Sequence, residues 1–461
     1  MSRTFEYQSE LPVPAGAAYE WHTRPGAFER LLPPWDTTRV VERSGDVQQG
    51  RVVLEVPIGP ATQRWVSEHQ GGTPGVEFVD RQVEGPFASW VHAHRFEPAG
   101  TAGCRMIDRV VYDLPFGAAG ALAGGAVEHR LRRTFAYRHR VLADDFAAAA
   151  RYGSLRPRTI AITGATGSLG QALVPFLTTQ GHRVRIVTRR PASGDDIHWD
   201  PAAGTLDPAA LEGVDAVLHL AGESIAGSRW TEAQKRRILE SRTQGTTLLA
   251  ETLARLQRKP GVLVSASAVG IYGNRGDEVL TERAGVRTGP DTFFVEQVAH
   301  AWEAATEPAE RAGIRVVRAR IGIVLTPAGG ALPPMMLPIQ MGVGGRMGSG
   351  RQYLSWIAID DVVGGLYHAL VTDALSGPVN LTAPTPVTNA AFTDTLARVL
   401  HRPAFFPVPE AAVRLLVGQM ADELLLSGAR VIPERLRESG YGFRYPDLEG
   451  ALRHVLGRAG G

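Results

Sequence analysis

A short apolar run, Thr159-Ile-Ala-Ile-Thr163, leads straight into Gly164-Ala-Thr-Gly167-Ser-Leu-Gly170. A helical pattern follows over 171–180, and a second strand pattern over 182–187. Three glycines at this spacing between a strand and a helix restrict the fold sharply: they open a βαβ unit of a parallel sheet. Gly164 permits the tight turn, Gly167 lets a phosphate approach the backbone, and Gly170 lets the helix pack on the strand. The turn through Thr166, Gly167, Ser168 and Leu169, with the helix N-terminus behind it, suits a dinucleotide pyrophosphate. The second strand ends Thr188-Arg189-Arg190. Sites that take NAD usually carry Asp or Glu there. Guanidinium groups suit a 2′-phosphate instead, so the expected cofactor is NADP(H). The alternative is a solvated strand end.

A chain of 461 residues has room for two or three domains. With 49 basic and 47 acidic residues the net charge is only +2, which argues against a nucleic-acid partner. Lysine occurs only at Lys235 and Lys259. The single cysteine, Cys104, excludes an intrachain disulfide and a cysteine metal cage. The first residues lack the apolar core of a signal peptide. The weakly polar run 114–127 is too short and glycine-rich to span a membrane. A cytoplasmic protein without membrane contact is expected.

Three domains are expected: 1–150, 158–383 and 384–461, with a polar linker over 152–158. Residues 1–150 read as a strand (5–11), two short helices (15–22, 26–32), six strands between 38 and 113, and a long helix. That helix carries Val127, Leu131, Phe135, Leu142 and Phe146 at helical spacing. This order resembles the START-like, polyketide-cyclase-type helix-grip fold, which implies a cavity for an apolar ligand. His92 and His94 share one face of a strand. They are either packed imidazoles or two ligands of a metal site with His129 as a third. Beyond residue 158 strands and helices alternate, as in an α/β doubly wound parallel sheet. Strands are expected at 215–222, 261–265 and 314–325, and helices at 231–256 and 291–312. A Gly-, Pro- and Met-rich segment over 326–353 reads as a lid or substrate loop. The region from 384 reads as mostly helical, with an Asn389 cap.

Several phrases carry a closer likeness: Leu220-Ala-Gly-Glu223, Arg229-Trp-Thr-Glu232, Ser265-Ala-Ser-Ala-Val-Gly-Ile-Tyr-Gly273, Arg346-Met-Gly-Ser-Gly-Arg-Gln352 and Trp356-Ile-Ala-Ile-Asp-Asp361. On these the chain from Arg158 onward resembles an extended short-chain dehydrogenase/reductase, in the YfcH-like group of epimerase homologues. The resemblance implies that Thr188 and Arg189 meet the adenosine ribose phosphate. It also puts Leu220, Ala221 and Gly222 beside adenine and ribose, and Val324 behind the nicotinamide. Working members of that superfamily use Tyr-x-x-x-Lys, the Tyr as general acid/base and the Lys to lower its pKa. Thr231 precedes Lys235 by four and Arg255 precedes Lys259 by four, so the motif is absent. Ser267 matches the superfamily serine, and Tyr272 is the nearest phenol. Arg242 either replaces the missing ammonium charge or lies on a solvated helix. Glu296 and His300 either substitute for the acid/base pair or form a surface pair. Three functions follow: an NADP(H)-dependent oxidoreductase or epimerase acting on a small molecule, a silent cofactor sensor, or a carrier of an apolar ligand.

Overall fold

The computed structural model describes residues 2–59, 61–115, 123–153, 155–190 and 194–458. The run 114–127 and the linker 152–158 therefore lie partly outside the described residues. Two compact units result: 1–156 with 175–181 and 456–461, and 157–174 with 182–455.

The first unit is built on strands β1 (Arg3–Leu11), β2 (Arg39–Gly45), β3 (Gly50–Ile58), β4 (Ala61–Gly71), β5 (Glu77–Glu84), β6 (Ser89–Ala99) and β7 (Gly103–Asp113). They form one antiparallel sheet in the order β1-β7-β6-β5-β4-β3-β2. Residues two apart on a strand face the same side. Phe5, Leu11, Phe96, Met106, Val110 and Tyr112 accordingly turn inward together. The long helix Gly124–Tyr152 brings Phe135, Tyr137, Val141, Leu142 and Phe146 to these strands along one helical face. The helices Ala15–Thr23 and Ala27–Arg30 follow β1, as the sequence led one to expect.

In the second unit the strands are β8 (Thr159–Thr163), β9 (Arg183–Thr188), β10 (Ile197–Asp200), β11 (Thr205–Leu206), β12 (Ala216–His219), β13 (Val262–Ala268), β14 (Val279–Leu280), β15 (Arg315–Ile321), β16 (Ile323–Leu325), β17 (Tyr353–Leu354), β18 (Trp356–Ala358), β19 (Gly377–Leu381), β20 (Val387–Thr388) and β21 (Arg430–Val431). Eight of them make one sheet, ordered β11-β10-β9-β8-β12-β13-β15-β19. All its pairings are parallel except β10 with β11. Ile160, Ala161 and Ile162 are buried, as in a strand covered on both faces. The chain leaves β8 toward β9 on one side and returns to β12 on the other. The topological switch point is therefore between β8 and β12, where such sheets bind ligands.

The expected helix over 291–312 is two helices, Phe294–Ala304 and Glu307–Arg311, with Pro308 in the first turn of the second. The cap before Asn389–Leu400 is Thr388, whose hydroxyl accepts from the Ala391 N–H; Asn389 is the first helical residue. Among the described residues no helix is long and apolar enough to cross a membrane.

Candidate functional site

The turn after β8 takes its shape from Gly164, at φ 72°. A Cβ on Gly164 would lie 2.7 Å from the Leu220 carbonyl carbon, so only glycine lets β8 and the chain leaving β12 come this close. A Cβ on Gly170 would meet Ala165 Cα at 2.5 Å, which is the close packing of helix Ser168–Thr179 on its own turn. Gly167 has more room: the nearest atom to its missing Cβ is the Gly164 carbonyl oxygen at 3.5 Å. Thr166, Gly167 and Ser168 are exposed and Leu169 is half-buried, so the helix opens to solvent at this end.

A buried chain of hydrogen bonds fastens the two strand ends at the switch point. Thr163 Oγ1 accepts the N–H groups of Leu220 (3.0 Å) and Ala221 (3.1 Å). Its own proton therefore goes to His219 Nδ1 at 2.8 Å. His219 Nε2–H then donates to Thr246 Oγ1, also at 2.8 Å. Burial holds the His219 pKa down to about 4, which keeps this neutral tautomer. The Leu220–Gly222 backbone is thus set against the glycine turn.

At the end of β9, Arg189 and Arg190 are exposed, and among the described residues neither guanidinium has an ion-pair partner. The Arg190 N–H donates to Thr188 Oγ1 at 3.1 Å, which curls the backbone there. The 326–353 segment passes the start of the helix that follows the glycine turn. A Cβ on Gly329 would be 3.5 Å from Ser168 Cβ. The segment also holds the helix Leu332–Gln340, with Pro333 and Pro334 in its first turn and Pro338 inside it. Val324 lies half-buried on β16, opposite Ile357 of β18.

Ser267, near the end of β13, donates to Glu303 Oε1 at 2.8 Å. Arg320 on β15 grips the same carboxylate with Nε (2.8 Å) and Nη2 (2.9 Å). Its Nη1 donates to the Tyr272 hydroxyl at 2.9 Å. That hydroxyl in turn meets Asn380 Oδ1 at 2.9 Å and the Thr281 carbonyl at 3.2 Å. Tyr272 is fully buried, and burial pushes its pKa up. Its oxygen is surrounded by protein partners, which suits a packed phenol better than an acid that meets substrate.

Arg242 stands beside Gly222, with its guanidinium 4.9 Å from the Trp302 ring centroid. Its Nη1 donates to the carbonyls of Glu223 (2.9 Å) and Ile238 (3.1 Å). Burial lowers its pKa to about 10, so it remains a cation beside Gly222. Glu296 and His300 are not a surface pair. Glu296 is fully buried, and Arg287 Nη2 donates to it at 2.7 Å. His300 Nε2 lies 2.6 Å from the Arg287 carbonyl oxygen. Together they clamp the loop at Arg287.

Sequence reading missed Glu303 and Arg320. Glu303 sits on a helix of ordinary amphipathic pattern and carries no local signal. Arg320 shares β15 with Arg315 and Arg318, so the sequence does not single it out; only its burial, at 5% exposed, requires the anion that Glu303 supplies. The Asp360-Asp361 phrase is structural. Asp361 accepts the N–H groups of Arg444 (2.8 Å) and Tyr445 (2.9 Å), and Asp360 meets His454 Nε2 at 2.9 Å.

A strand, glycine turn and helix at the switch point of this sheet define a Rossmann-like fold of the epimerase type. The chain belongs to the NAD-dependent epimerase/dehydratase family, whose model matches residues 160–381. Residues 11–140 match the polyketide cyclase/dehydrase and lipid transport family, and 408–455 a domain of unknown function. An epimerase family protein of Mycobacterium bovis is 44% identical over 302 residues, 65% of this chain and 98% of that protein. A nucleoside-diphosphate sugar epimerase from Corynebacterium glutamicum is 33% identical, with TM-score 0.82 over 98% of this chain and 90% of the other. The human epimerase family protein SDR39U1, crystallised with NADPH, is 36% identical, with TM-score 0.59 over 64% of this chain and 98% of its own.

Proposed function

We propose that the second unit binds NADP(H) and works as an oxidoreductase or epimerase on a small hydroxyl or carbonyl substrate. The observation that carries this is the glycine turn at the switch point with two exposed arginines at the end of β9. The likeness to the human protein crystallised with NADPH supports it. The turn from Gly164 to Gly170 would hold the pyrophosphate, and Thr188, Arg189 and Arg190 the 2′-phosphate. Leu220, Ala221 and Gly222 would flank adenine and ribose, Val324 the nicotinamide half, and Arg242 an anionic group nearby. Bound NADP(H) supplies or accepts the hydride.

The chain itself handles the proton. The Ser267 oxygen takes the proton of a substrate hydroxyl as its own proton passes to Glu303, which gains it as a carboxylic acid. In the reverse direction the proton returns by the same route. Arg320 keeps the Glu303 carboxylate in place, and Tyr272 positions Arg320. Nucleoside-diphosphate sugars are the first substrate class to test, because likeness to the Corynebacterium glutamicum protein extends over nearly the whole chain. The first unit would carry an apolar ligand in its cavity of about 750 Å³.

The test is NADPH turnover against nucleoside-diphosphate sugars and simple carbonyls. Ser267→Ala and Glu303→Gln should each lower kcat by about 100-fold or more, the scale of a lost acid–base group. Wild-type turnover in both variants would overturn the proton route. One observation favours a second reading, a silent NADP(H) sensor: Tyr-x-x-x-Lys is missing and the Tyr272 hydroxyl is sealed. Tight NADPH binding with no turnover across the panel would support that reading.

A further inference from the structure

The register of the antiparallel sheet concentrates histidines and carboxylates in the cavity of the first unit. Asp80 on β5 is paired directly with His92 on β6, and His94 on β6 with Asp108 on β7. Because side chains two apart share a face, His92 and His94 point the same way. Each imidazole has one nitrogen toward Asp80 and the other toward Asp108. His92 Nδ1 and His94 Nε2 lie 3.3 Å and 3.7 Å from Asp80 Oδ2. His92 Nε2 is 2.9 Å from Asp108 Oδ1, and His94 Nδ1 approaches the same oxygen at 2.6 Å without hydrogen-bond alignment.

These distances separate two roles. Ligand atoms that share one ion at 2.0–2.2 Å stand about 3.0–3.5 Å apart. Asp80 Oδ2 stands near that spacing from His92 Nδ1 (3.3 Å) and His94 Nε2 (3.7 Å), and one ligand atom from each of the three residues lies within 4.8 Å of the others. Asp108 stands where the outer carboxylate of a metal-bound histidine stands, against the far nitrogen of His92. It is itself held from the other side, by His139 Nε2 at 2.6 Å, and His139 is held by Ser9 at 2.7 Å. A second observation points to a ligand here. His22 lines the same cavity and is 8% exposed. Its Nδ1 is 2.8 Å from the Ala18 carbonyl, which leaves Nε2 buried with no hydrogen-bond partner among the described residues. His129, the third ligand considered from sequence, is exposed on the long helix and takes no part.

We propose that Asp80, His92 and His94 bind a divalent transition-metal ion in this cavity, with Asp108 orienting the His92 imidazole. Two imidazoles and one carboxylate suit zinc or ferrous iron, and three protein ligands leave a position open toward the apolar space. An apolar molecule with a polar head would then meet the ion with that head.

The experiment uses the full, untagged chain, stripped with a chelator and dialysed. Cobalt(II) is the probe, followed by visible absorption and by calorimetry. One equivalent should bind with a d–d band in the visible, and one equivalent of zinc should displace it. Asp80→Asn and His94→Ala should each weaken binding at least 30-fold, whereas His129→Ala should leave it unchanged. The wild-type titration decides even where a variant fails to fold: absence of saturable one-to-one uptake overturns the proposal. Full retention of binding in a folded Asp80→Asn/His94→Ala double variant overturns it as well.

Discussion

At the scale of single residues, the cluster of Ser267, Glu303, Arg320, Tyr272 and Asn380 separates groups that hold from groups that react. Removing the Tyr272 hydroxyl leaves Asn380 Oδ1 and Arg320 Nη1 short of a partner in a buried place. Tyr272→Phe should therefore cost about 1–3 kcal/mol in denaturant unfolding, the penalty of an unsatisfied buried group. NADPH affinity should hold and turnover per folded molecule should fall less than threefold. A hundredfold loss of kcat at unchanged stability would instead make Tyr272 the acid. Arg189→Ala should weaken NADPH about tenfold or more and leave NADH unchanged, read by fluorescence titration. Sequence pointed to Ser267 and to Arg189 because each sits at a strand end beside a recognisable phrase. It could not point to Glu303. The serine and that carboxylate are 36 positions apart and meet only when the helix Phe294–Ala304 docks on β13 and β15.

At the scale of elements, the glycine turn makes two separable demands on its residues. Gly164 sits at positive φ, against the Leu220 backbone. Gly167 has ordinary space around its Cα and faces solvent. Gly164→Ala should therefore lower the melting temperature as well as NADPH affinity. Gly167→Ala should keep the melting temperature within a few degrees and still lose NADPH, since its cost falls on the approach of the phosphates. Equal melting losses in the two variants would contradict that division. The parallel sheet was legible here because glycine punctuation and long apolar strands agree. β10 and β11 were not legible, because strands of four and two residues are too short to show a period. The single helix expected over 291–312 broke because Pro308 has no N–H to continue the ladder from the preceding turn. The Asn389 cap moved one residue because Asn and Thr both suit a cap, and only the Thr388 bond to Ala391 distinguishes them.

At the scale of the whole molecule, acid should act on both units: burial holds the pKa of His22, in the first, down to about 3, and two histidines carry the effect in the second. His219 is buried and neutral, with its pKa lowered to about 4 by burial. His182 is lowered to about 4 for the same first reason, with Arg158 adding to the effect. In the unfolded chain both titrate near the ordinary 6.5, so below that pH the unfolded state takes up protons that the folded state refuses. Their stabilisation is complete above about pH 6.5 and is lost as pH falls toward 4, by up to about 3 kcal/mol for His219. The melting temperature of the unit that responds to NADPH should therefore drop over that window. NADPH at 100 times its Kd should raise the same transition by about 2.7 kcal/mol, because it binds only the folded form. A long-chain fatty acid should act on the other transition, since the cavity of about 750 Å³ belongs to the first unit. Calorimetry of the full chain between pH 4 and 8, with each ligand alone and with both, checks the division. If NADPH and the fatty acid shift one common transition by the sum of their effects, the units unfold together, and the assignment of one ligand to each transition fails.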